Sequence, residues 1–367
     1  MRDKALFVLN SFSGGGAERI CLHLASELAR TMEVDMVTIY DEGDFPLPEG
    51  VNHVSLGVVK DAGRFRKLWQ LVASRGRFNA FVRGREQTGR YALVTSHLTA
   101  SHVLAAVSCI GDRCLYVHHS LPVSVKRHLP GIFSFVLKRL YRGKKLVSVS
   151  DGVGGQLARC YGVEMSDVTT INNPVPAATI ENGSGQDVPL KRPYLLCVGR
   201  LVPSKRFDRM LQVYLRGGFC KEYDLVFLGQ GPARQDLEDM VAESGQGDRI
   251  HLPGFKENPY PWMRRSSAMV MTSDWEALPT VLVEGILAGA RVVSADCDFG
   301  PREILTGEYG RFLVAPDDID GYVDAINGAL CSYPQVSNDF ARKYDARCIA
   351  LKYIECYREA FERKVEE

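Results

Sequence analysis

The sequence predicts an α/β protein built from two Rossmann-like halves, and three observations support this fold class. The chain has 367 residues, more than one ordinary hydrophobic core holds, so two domains are expected. Short apolar, β-branched runs alternate with helical periodicity, which is typical of parallel sheets covered by helices. A polar segment rich in Gly, Ser and Asn divides two such series. We therefore expect a first domain at 1–173, a linker at 174–189 and a second domain at 190–344.

The composition excludes several classes of protein. With 46% hydrophobic residues, 24% charged residues and a formal net charge of +1, the chain is not that of a protein coated for nucleic acid. The 10 cysteines form no CxxC pair, so we expect buried, reduced thiols and not a zinc site. No signal peptide and no apolar run of about 20 residues is found. A cytoplasmic protein without a bound metal is the expectation.

The first half begins with a strand at 5–9, a glycine-rich loop at 10–16 and an amphipathic helix. Gly15 and Gly16 let the backbone approach an anion or a sugar closely, although a tight turn without a ligand is the alternative. A dinucleotide site would need a third glycine where Arg19 stands. Further strands of this half are predicted at 34–39, 91–97, 114–118 and 145–150.

The second half repeats the pattern, with strands predicted at 194–198, 225–228, 250–252, 268–272 and 291–295. Arg200 and Lys205 flank the turn after its first strand. They can converge on a diphosphate, Arg as a bidentate fork and Lys as a point charge, or they can pair with surface carboxylates. The last helix, at about 345–367, can pack on either half, including back onto the first domain.

Two carboxylates, Glu276 and Glu284, lie eight positions apart across a junction between a loop and a helix. Pro279 fits the first turn of that helix. Two acids at a helix N-terminus, where anions bind, indicate a ligand that carries both hydroxyls and phosphate, such as a nucleotide sugar. The alternative is the acid pair of a glycosidase, but then the glycine loop and the cations would have no task.

Two histidines, His118 and His119, close a strand of the first half, at the end where open α/β sheets bind ligands. One of them can contact a sugar hydroxyl, and a purely structural role is the alternative. Basic, aromatic-rich segments at 63–86 and 126–145 favour contact with an anionic membrane. For these segments the alternative is a core helix with a solvated basic face.

Together, several motifs in this order resemble family 4 of the retaining glycosyltransferases, of the type that makes bacterial cell-surface glycans and lipopolysaccharide. They are Gly14–Arg19, Ser148–Asp151, Ile171–Pro174, Gly199–Lys205, Glu276–Glu284 and Gly300–Ile304. The resemblance implies the GT-B fold, two Rossmann-like α/β/α domains with an interdomain cleft. It also implies transfer of a hexose or N-acetylhexosamine from a nucleotide diphosphate sugar, UDP above all, with retention and without a metal or cofactor.

The resemblance assigns roles to individual residues. Glu284 corresponds to the acid that binds the ribose, Glu276 to the acid facing the donor hexose, and Arg200 with Lys205 to the pair that neutralises the diphosphate. His118 best matches the histidine that contacts the transferred sugar, with His119 as the alternative. The remaining donor-site positions are Gly15, Gly16, Leu278, Pro279 and Thr280. The pair Ala277–Leu278 departs from the family, where Gly-Phe is commoner.

The implied acceptor is a glycan or a lipid-linked glycan, handled at the inner face of the cytoplasmic membrane. Other functions stay open on the sequence alone. A nucleotide-sugar epimerase or a phosphorylase shares the fold, and a non-catalytic nucleotide-sugar-binding protein would carry the same binding residues. A nicotinamide oxidoreductase is disfavoured by Arg19.

Overall fold

The computed structural model describes residues 2–13, 15–43, 45–59, 64–121 and 132–362, for 64–69, 71–72 and 132–134 the backbone alone. The chain divides into two units. One consists of Met1–Pro174 with Lys343–Glu367, and the other of Val175–Arg342. The C-terminal segment therefore belongs to the first unit. None of the helices described in these ranges combines the length and the apolar character needed to cross a bilayer.

The first unit contains a parallel sheet of seven described strands in the order β3-β2-β1-β4-β5-β6-β7. The strands are β1 (Lys4–Leu9), β2 (Glu33–Tyr40), β3 (Val51–Val58), β4 (Tyr91–His97), β5 (Leu115–His118), β6 (Lys145–Ser148) and β7 (Val168–Thr170). The helices are α1 (Gly16–Leu28), α2 (Arg64–Glu86), α3 (Thr99–Ala106), α4 (Ile132–Tyr141) and α5 (Asp151–Tyr161). Strand order reverses between β1 and β4, which makes the carboxyl ends of these strands the expected ligand site.

The second unit repeats this architecture with six described parallel strands, in the order β10-β9-β8-β11-β12-β13. The strands are β8 (Tyr194–Val198), β9 (Asp224–Leu228), β10 (Ile250–Gly254), β11 (Ala268–Met271), β12 (Val292–Ala295) and β13 (Leu313–Val314). The helices are α6 (Ala177–Gly183), α7 (Phe207–Arg216), α8 (Arg234–Glu243), α9 (Tyr260–Arg265), α10 (Thr280–Leu287), α11 (Pro301–Ile304) and α12 (Ile319–Cys331). Here the switch point lies between β8 and β11.

The strands of both sheets are mostly apolar and buried, because parallel sheets are covered by helices on both faces. All six residues of β1 are buried, and so are all five of β9. Two last helices follow, α13 (Asn338–Tyr344) and α14 (Ala346–Phe361). In the first unit α14 contacts α1 and β4 and buries Tyr353 and Tyr357. The Tyr357 hydroxyl also donates a hydrogen bond of 3.1 Å to the Arg113 carbonyl.

Three sequence expectations need correction. Strands β3, β7 and β13 were not predicted, because β3 and β7 are mostly half-exposed or exposed and lack a continuous apolar run, and β13 has only two residues. The segment expected as an exposed linker, 174–189, contains helix α6, whose Ile180 is fully buried. The cysteines are all free, as expected, but Cys109 and Cys331 are exposed rather than buried.

Candidate functional site

At the switch point of the second sheet, two neighbouring loops carry three of the predicted site residues. Strands β8 and β11 are neighbours and run in the same direction. The loop after β8 carries Arg200 and Lys205, and the loop after β11 carries Glu276. Residues far apart in sequence therefore meet at one sheet edge, where open α/β sheets bind ligands.

Lys205 and Glu276 form an ion pair at this edge, between Lys205 Nζ and Glu276 Oε1. The Ser273 hydroxyl donates a second hydrogen bond of 2.7 Å to the same carboxylate oxygen. The two charged side chains are 25% and 12% exposed, so the pair is largely shielded from solvent. Arg200 differs, because its side chain is exposed and forms no ion pair with any residue the structure describes. Of the two cations predicted for the site, Lys205 is thus committed to an ion pair and Arg200 is available.

A buried arginine holds the loop after β11, and a backbone hydrogen bond joins that loop to the loop after β8. Arg209 on α7 is 3% exposed and donates hydrogen bonds to the Thr272 carbonyl (2.6 Å) and to the carboxylates of Asp274 (2.9 Å) and Asp317 (2.8 Å). The Asp274 amide also donates to the Ser204 carbonyl at 2.9 Å. These contacts set the position from which Glu276 projects. Sequence reasoning missed Arg209, since only the fold brings it to the loop after β11.

Helix α10 follows directly after the loop that carries Glu276. The sequence predicted Pro279 in the first turn of this helix; in the structure it lies one position earlier, at the N-cap. Leu278 and Pro279 are buried, Thr280 begins the helix, and Glu284 lies half-buried in it. A Cβ at Gly300 would approach the Pro279 ring within 2.6 Å, so the turn before α11 packs directly on this junction.

A second glycine loop supports the loop after β8 from the other side. A Cβ on Gly229, whose φ is +155°, would overlap the Gly199 carbonyl oxygen, and one on Gly231 would overlap the Leu201 carbonyl. The backbone pairing continues where the Leu201 amide donates to the Gln230 carbonyl at 2.9 Å. Only glycine allows two loops to approach this closely.

In the first unit, Gly15 is the N-cap of α1 and Gly16 begins the helix; Gly14 lies outside the described residues. The Glu18 carboxylate folds back over Gly15, where it leaves no room for a Cβ. Glu18 is buried, and burial raises the pKa of its carboxyl above the usual value. A carboxylate at a helix N-terminus occupies the place that an anion would take.

His118 and His119 lie at the carboxyl end of β5 and line a small pocket of about 30 Å³ together with Thr99 and Ser120. The His118 ring packs edge-on against the ring of Tyr141, at 4.9 Å between centroids. Burial lowers the pKa of both histidines, that of His119 to about 4, so both are neutral at pH 7. Among the described residues, His118 Nε2 and His119 Nδ1 have no hydrogen-bond partner.

One group within the described ranges has the spacing of a metal site. Cys21 Sγ and ring nitrogens of His97 and His119 lie within 4.8 Å of one another, a donor set that suits zinc. However, the two imidazoles are hydrogen-bonded to each other at 2.8 Å. Burial also raises the pKa of the Cys21 thiol well above its usual value, which disfavours the thiolate that a metal needs.

Comparison with known proteins agrees with this architecture. A model of the Glycosyltransferase Family 4 domain matches residues 14–179, and a model of the Glycosyl transferases group 1 domain matches residues 181–344. A similar protein of Campylobacter jejuni is the N-acetylgalactosamine-N,N'-diacetylbacillosaminyl-diphospho-undecaprenol 4-alpha-N-acetylgalactosaminyltransferase. The two are 23% identical over 374 residues, which span 96% of this chain and 100% of that protein.

Two solved structures share the fold over nearly the whole chain. The Anabaena protein Alr3699/HepE, in complex with UDP and glucose, has a TM-score of 0.69 at 16% identity and covers 100% of both chains. The apo form of the lipopolysaccharide outer core galactosyltransferase WaaB has a TM-score of 0.69 at 19% identity, over 98% of this chain and 99% of that one. With both halves matched by their family models and the expected fold confirmed, the chain belongs to the GT-B glycosyltransferases that join a family 4 domain to a group 1 domain.

Proposed function

We propose that the protein transfers a hexose or N-acetylhexosamine from a nucleotide diphosphate sugar, with UDP as the nucleotide, to a glycan or lipid-linked acceptor. The observation that carries this proposal is the pairing of Lys205 with Glu276 at the switch point of the second sheet. With the available cation of Arg200 in the same loop, the group offers a carboxylate for sugar hydroxyls and cations for a diphosphate. The Anabaena protein of similar fold, solved with UDP and glucose, supports the choice of nucleotide.

In the proposed complex, Arg200 and Lys205 neutralise the diphosphate while Glu276 accepts hydrogen bonds from the hexose. Glu284 accepts hydrogen bonds from the ribose. Leu278, Pro279 and Thr280 form the start of α10, whose dipole favours negative charge at that end. Negative charge grows on the diphosphate as the sugar bond breaks, so cations fixed beforehand lower the barrier.

We infer that the reaction retains the anomeric configuration. The acceptor oxygen bonds the anomeric carbon on the face from which the diphosphate leaves, and the acceptor proton passes to a phosphate oxygen. Because two side-chain cations can neutralise the leaving group, the proposed reaction needs no divalent metal or other cofactor. Transfer should therefore continue in excess EDTA; activity that is lost in EDTA and restored by Mg²⁺ would contradict this part.

The acceptor is assigned to the first unit, in which Gly15 and Gly16 are kept as donor-site positions and His118, or His119 in its place, as the contact to the transferred sugar. The names of two similar proteins support the acceptor class. One is a transferase named for a diphospho-undecaprenol substrate, and the other is named for the lipopolysaccharide outer core. We therefore propose a role in the synthesis of surface polysaccharide or lipopolysaccharide, in the cytoplasm at the inner face of the cytoplasmic membrane.

Donor binding is tested by calorimetry with UDP and with UDP sugars. Glu284→Ala should weaken binding by about tenfold or more, the equivalent of one or two hydrogen bonds to the ribose. The matched control is Glu243→Ala, which removes an exposed carboxylate at the end of α8 in the same unit. Equal affinities of the two variants would exclude the ribose role of Glu284.

Transfer is tested by analysis of products with and without an acceptor. The proposal expects donor consumption that depends on the acceptor, and a product whose anomeric configuration by NMR equals that of the donor. Conversion of the donor without any acceptor would indicate an epimerase, and conversion that requires inorganic phosphate would indicate a phosphorylase. Tight binding without turnover of any donor would indicate a binding protein.

We also propose contact with an anionic membrane through the basic segments 63–86 and 126–145; residue 63 and residues 126–131 lie outside the described residues. In the first segment Phe78 and Val82 are buried and Phe81 is half-buried, whereas Arg75, Arg77 and Arg83 are exposed. In α4, Phe135 is 69% exposed and Val136 is 44% exposed, beside exposed basic side chains. An exposed apolar pair among cations fits the interface of an anionic bilayer.

Flotation with vesicles tests this surface. The wild type should float with vesicles that contain phosphatidylglycerol and remain behind with neutral vesicles. The double variant Phe135→Ser, Val136→Ser should lose flotation, whereas the control Leu351→Ser, at a residue 58% exposed on α14, should retain it. Flotation of all three proteins to the same extent would refute the role of α4.

A further inference from the structure

The loop after β8 makes a left-handed turn immediately after Lys205. Arg206, the N-cap of α7, has φ +50° and ψ +48°, a conformation that is unfavourable for a residue with a Cβ. A right-handed conformation at this residue would let the short helical turn Pro203–Lys205 continue into α7 and would redirect the Lys205 side chain. The direction of the Lys205 side chain therefore depends on an unfavourable turn that other contacts must hold.

The hydroxyl of Thr272 holds this turn. Thr272 follows β11 and is 2% exposed. Its Oγ1 lies 2.8 Å from the Arg206 carbonyl oxygen and 3.2 Å from the Lys205 carbonyl oxygen. Because carbonyl oxygens can only accept, the hydroxyl is the donor, and its one proton is shared between them. The side chain of Thr272 therefore contacts both the main chain of Lys205 and the residue that makes the turn.

Further contacts join the same two loops. The Asp274 carboxylate accepts a hydrogen bond of 3.1 Å from Arg206 Nη1, and the Asp274 amide donates to the Ser204 carbonyl at 2.9 Å. With the bond from Thr272, these contacts attach three consecutive residues of the loop after β8 to the loop after β11. Within this set, the Thr272 hydroxyl supplies the contact to the main chain of Lys205.

Two successive residues after β11 act on opposite partners of the ion pair between Lys205 and Glu276. Ser273 is fully buried, and its hydroxyl donates to the Glu276 carboxylate at 2.7 Å. Thr272 donates instead to the main chain from which Lys205 projects. The end of one strand thus fixes the carboxylate directly and the ammonium through its backbone.

We propose that Thr272 is a positioning residue for the donor: its hydroxyl holds the left-handed turn at Arg206 and thereby directs the Lys205 ammonium to the phosphates of a nucleoside diphosphate. This inference rests on the proposed glycosyl transfer for the identity of that ligand. A cation that is oriented before the ligand binds loses less conformational freedom on binding. Thr272 therefore contributes to affinity and rate through Lys205, without contact to the sugar or the phosphates.

Calorimetry with UDP and the transfer assay test the hydroxyl, with one substitution that removes it and one that keeps it. Thr272→Val removes the hydroxyl and preserves the branched shape, whereas Thr272→Ser retains the hydroxyl. We expect Thr272→Val to raise the Kd for UDP and to lower kcat by about tenfold each, the effect of weakening one hydrogen bond to a charged group. Thr272→Ser should stay within about twofold of the wild type, as expected when the bond is kept. Equal Kd for UDP in the two variants would overturn the proposal.

Ser294→Ala is the matched control for the loss of a buried hydroxyl. Ser294 is fully buried in the second unit, and its hydroxyl donates to the neighbouring Ala295 carbonyl at 2.9 Å. Its replacement should leave the Kd for UDP unchanged; a loss equal to that of Thr272→Val would overturn the specific role of Thr272. If Thr272→Val does not fold, Thr272→Ala removes the same hydroxyl, and the same outcomes decide.

A double-mutant cycle with Lys205→Met tests whether Thr272 acts through Lys205. If the hydroxyl only directs the ammonium, its removal has no effect on UDP once the ammonium is gone. In the Lys205→Met background, Thr272→Val should therefore change the Kd for UDP by less than about twofold. A further loss of about tenfold in that background would mean that Thr272 acts on another part of the site, which would overturn the proposal.

Urea unfolding repeats the cycle without a ligand. The shift of the midpoint in the double variant should be smaller than the sum of the shifts in Thr272→Val and Lys205→Met, because release of the turn already weakens the ion pair of Lys205 with Glu276. Additive shifts would overturn the positioning role. A wild type that binds neither UDP nor a UDP sugar and transfers no sugar would refute the proposed function. The urea cycle still decides the positioning role in that case, so the two failures are distinguishable.

Discussion

Replacement of Arg209 by Met tests whether a buried guanidinium holds the loop that carries Glu276. Met preserves much of the length and apolar volume of the side chain and removes the planar fork of donors. The fork reaches three oxygens, on Thr272, Asp274 and Asp317. All three hydrogen bonds are lost in the variant, but their loss does not cost the same.

The cost depends on what water can replace. The side chains of Asp317 and Asp274 are 92% and 40% exposed, so water solvates their carboxylates and each contributes about 0–1 kcal/mol. Thr272 is buried, and its carbonyl would be left unsatisfied at about 1–3 kcal/mol. We expect Arg209→Met to lower the free energy of unfolding of the second unit by about 1–5 kcal/mol. Displacement of the loop should also lower kcat by about 10²-fold.

Urea unfolding measures the first quantity, and the transfer assay measures the second. In a Trp69→Phe background, the fluorescence of Trp262 and Trp275 reports on the unfolding of the second unit alone. The signals of two units, which need not unfold together, are then not fitted as one transition. Asp317→Ala is the matched control, because it removes one acceptor of the same guanidinium and should cost less than about 1 kcal/mol. If Arg209→Met were as stable and as active as Asp317→Ala, the guanidinium would not hold the loop.

Three further predictions follow from the packing and from the buried histidines. Gly229→Ala should push the loop off the Gly199 carbonyl and lower the Tm of the second unit markedly, whereas Gly247→Ala, with open space around the added Cβ, should change it little. Ile180→Ala in α6 should lower the free energy of unfolding in urea by about 2–5 kcal/mol. A change near zero would support the exposed linker that the sequence predicted. The folded-state pKa of His119, about 4, lies below its ordinary 6.5, so the unfolded chain binds more protons between these values. The contribution of this histidine to the free energy of unfolding should be complete above about pH 6.5 and should fall toward pH 4 by up to about 1.4 kcal/mol per pH unit. His119→Gln should flatten this dependence of stability on pH.

The sequence predicted most of the strands because most of them are largely buried. The five residues of β8 and the four of β11 form apolar runs that end in polar loops, so the positions of Lys205 and Glu276 followed from the pattern. Strand β3, at the edge of its sheet, lacked that signal, since most of its residues are only half-buried. Helix α6 was mistaken for a linker because its composition is polar and its anchor is a single buried side chain, Ile180.

The candidate site was predictable in its charged groups and not in their supports. Glu276 and Lys205 were recognisable because they follow strands at the end where open α/β sheets bind ligands, and because their motifs resemble those of the family. Their supports, Ser273 and Arg209, have ordinary uses in a loop or on a helix. Only their hydrogen bonds to the site reveal them. The sequence could not reveal that Lys205 pairs with Glu276 itself, because side-chain pairing depends on the register of β8 against β11.

The two units hold their polar groups in the same way, although the chemistry differs. In the second unit Glu276 is paired with Lys205 from the loop after the neighbouring strand, and in the first unit His119 is hydrogen-bonded to His97 at the end of the neighbouring strand. Lys205 follows β8, which neighbours the β11 strand before Glu276, and His97 ends β4, which neighbours the β5 strand before His119. In both places parallel strands bring together side chains that are distant in the sequence. Orientation is then fixed in the folded protein before substrate arrives, so it need not be lost as entropy when substrate binds. A substitution in the supporting strand should therefore act on the rate of transfer even where it touches no substrate.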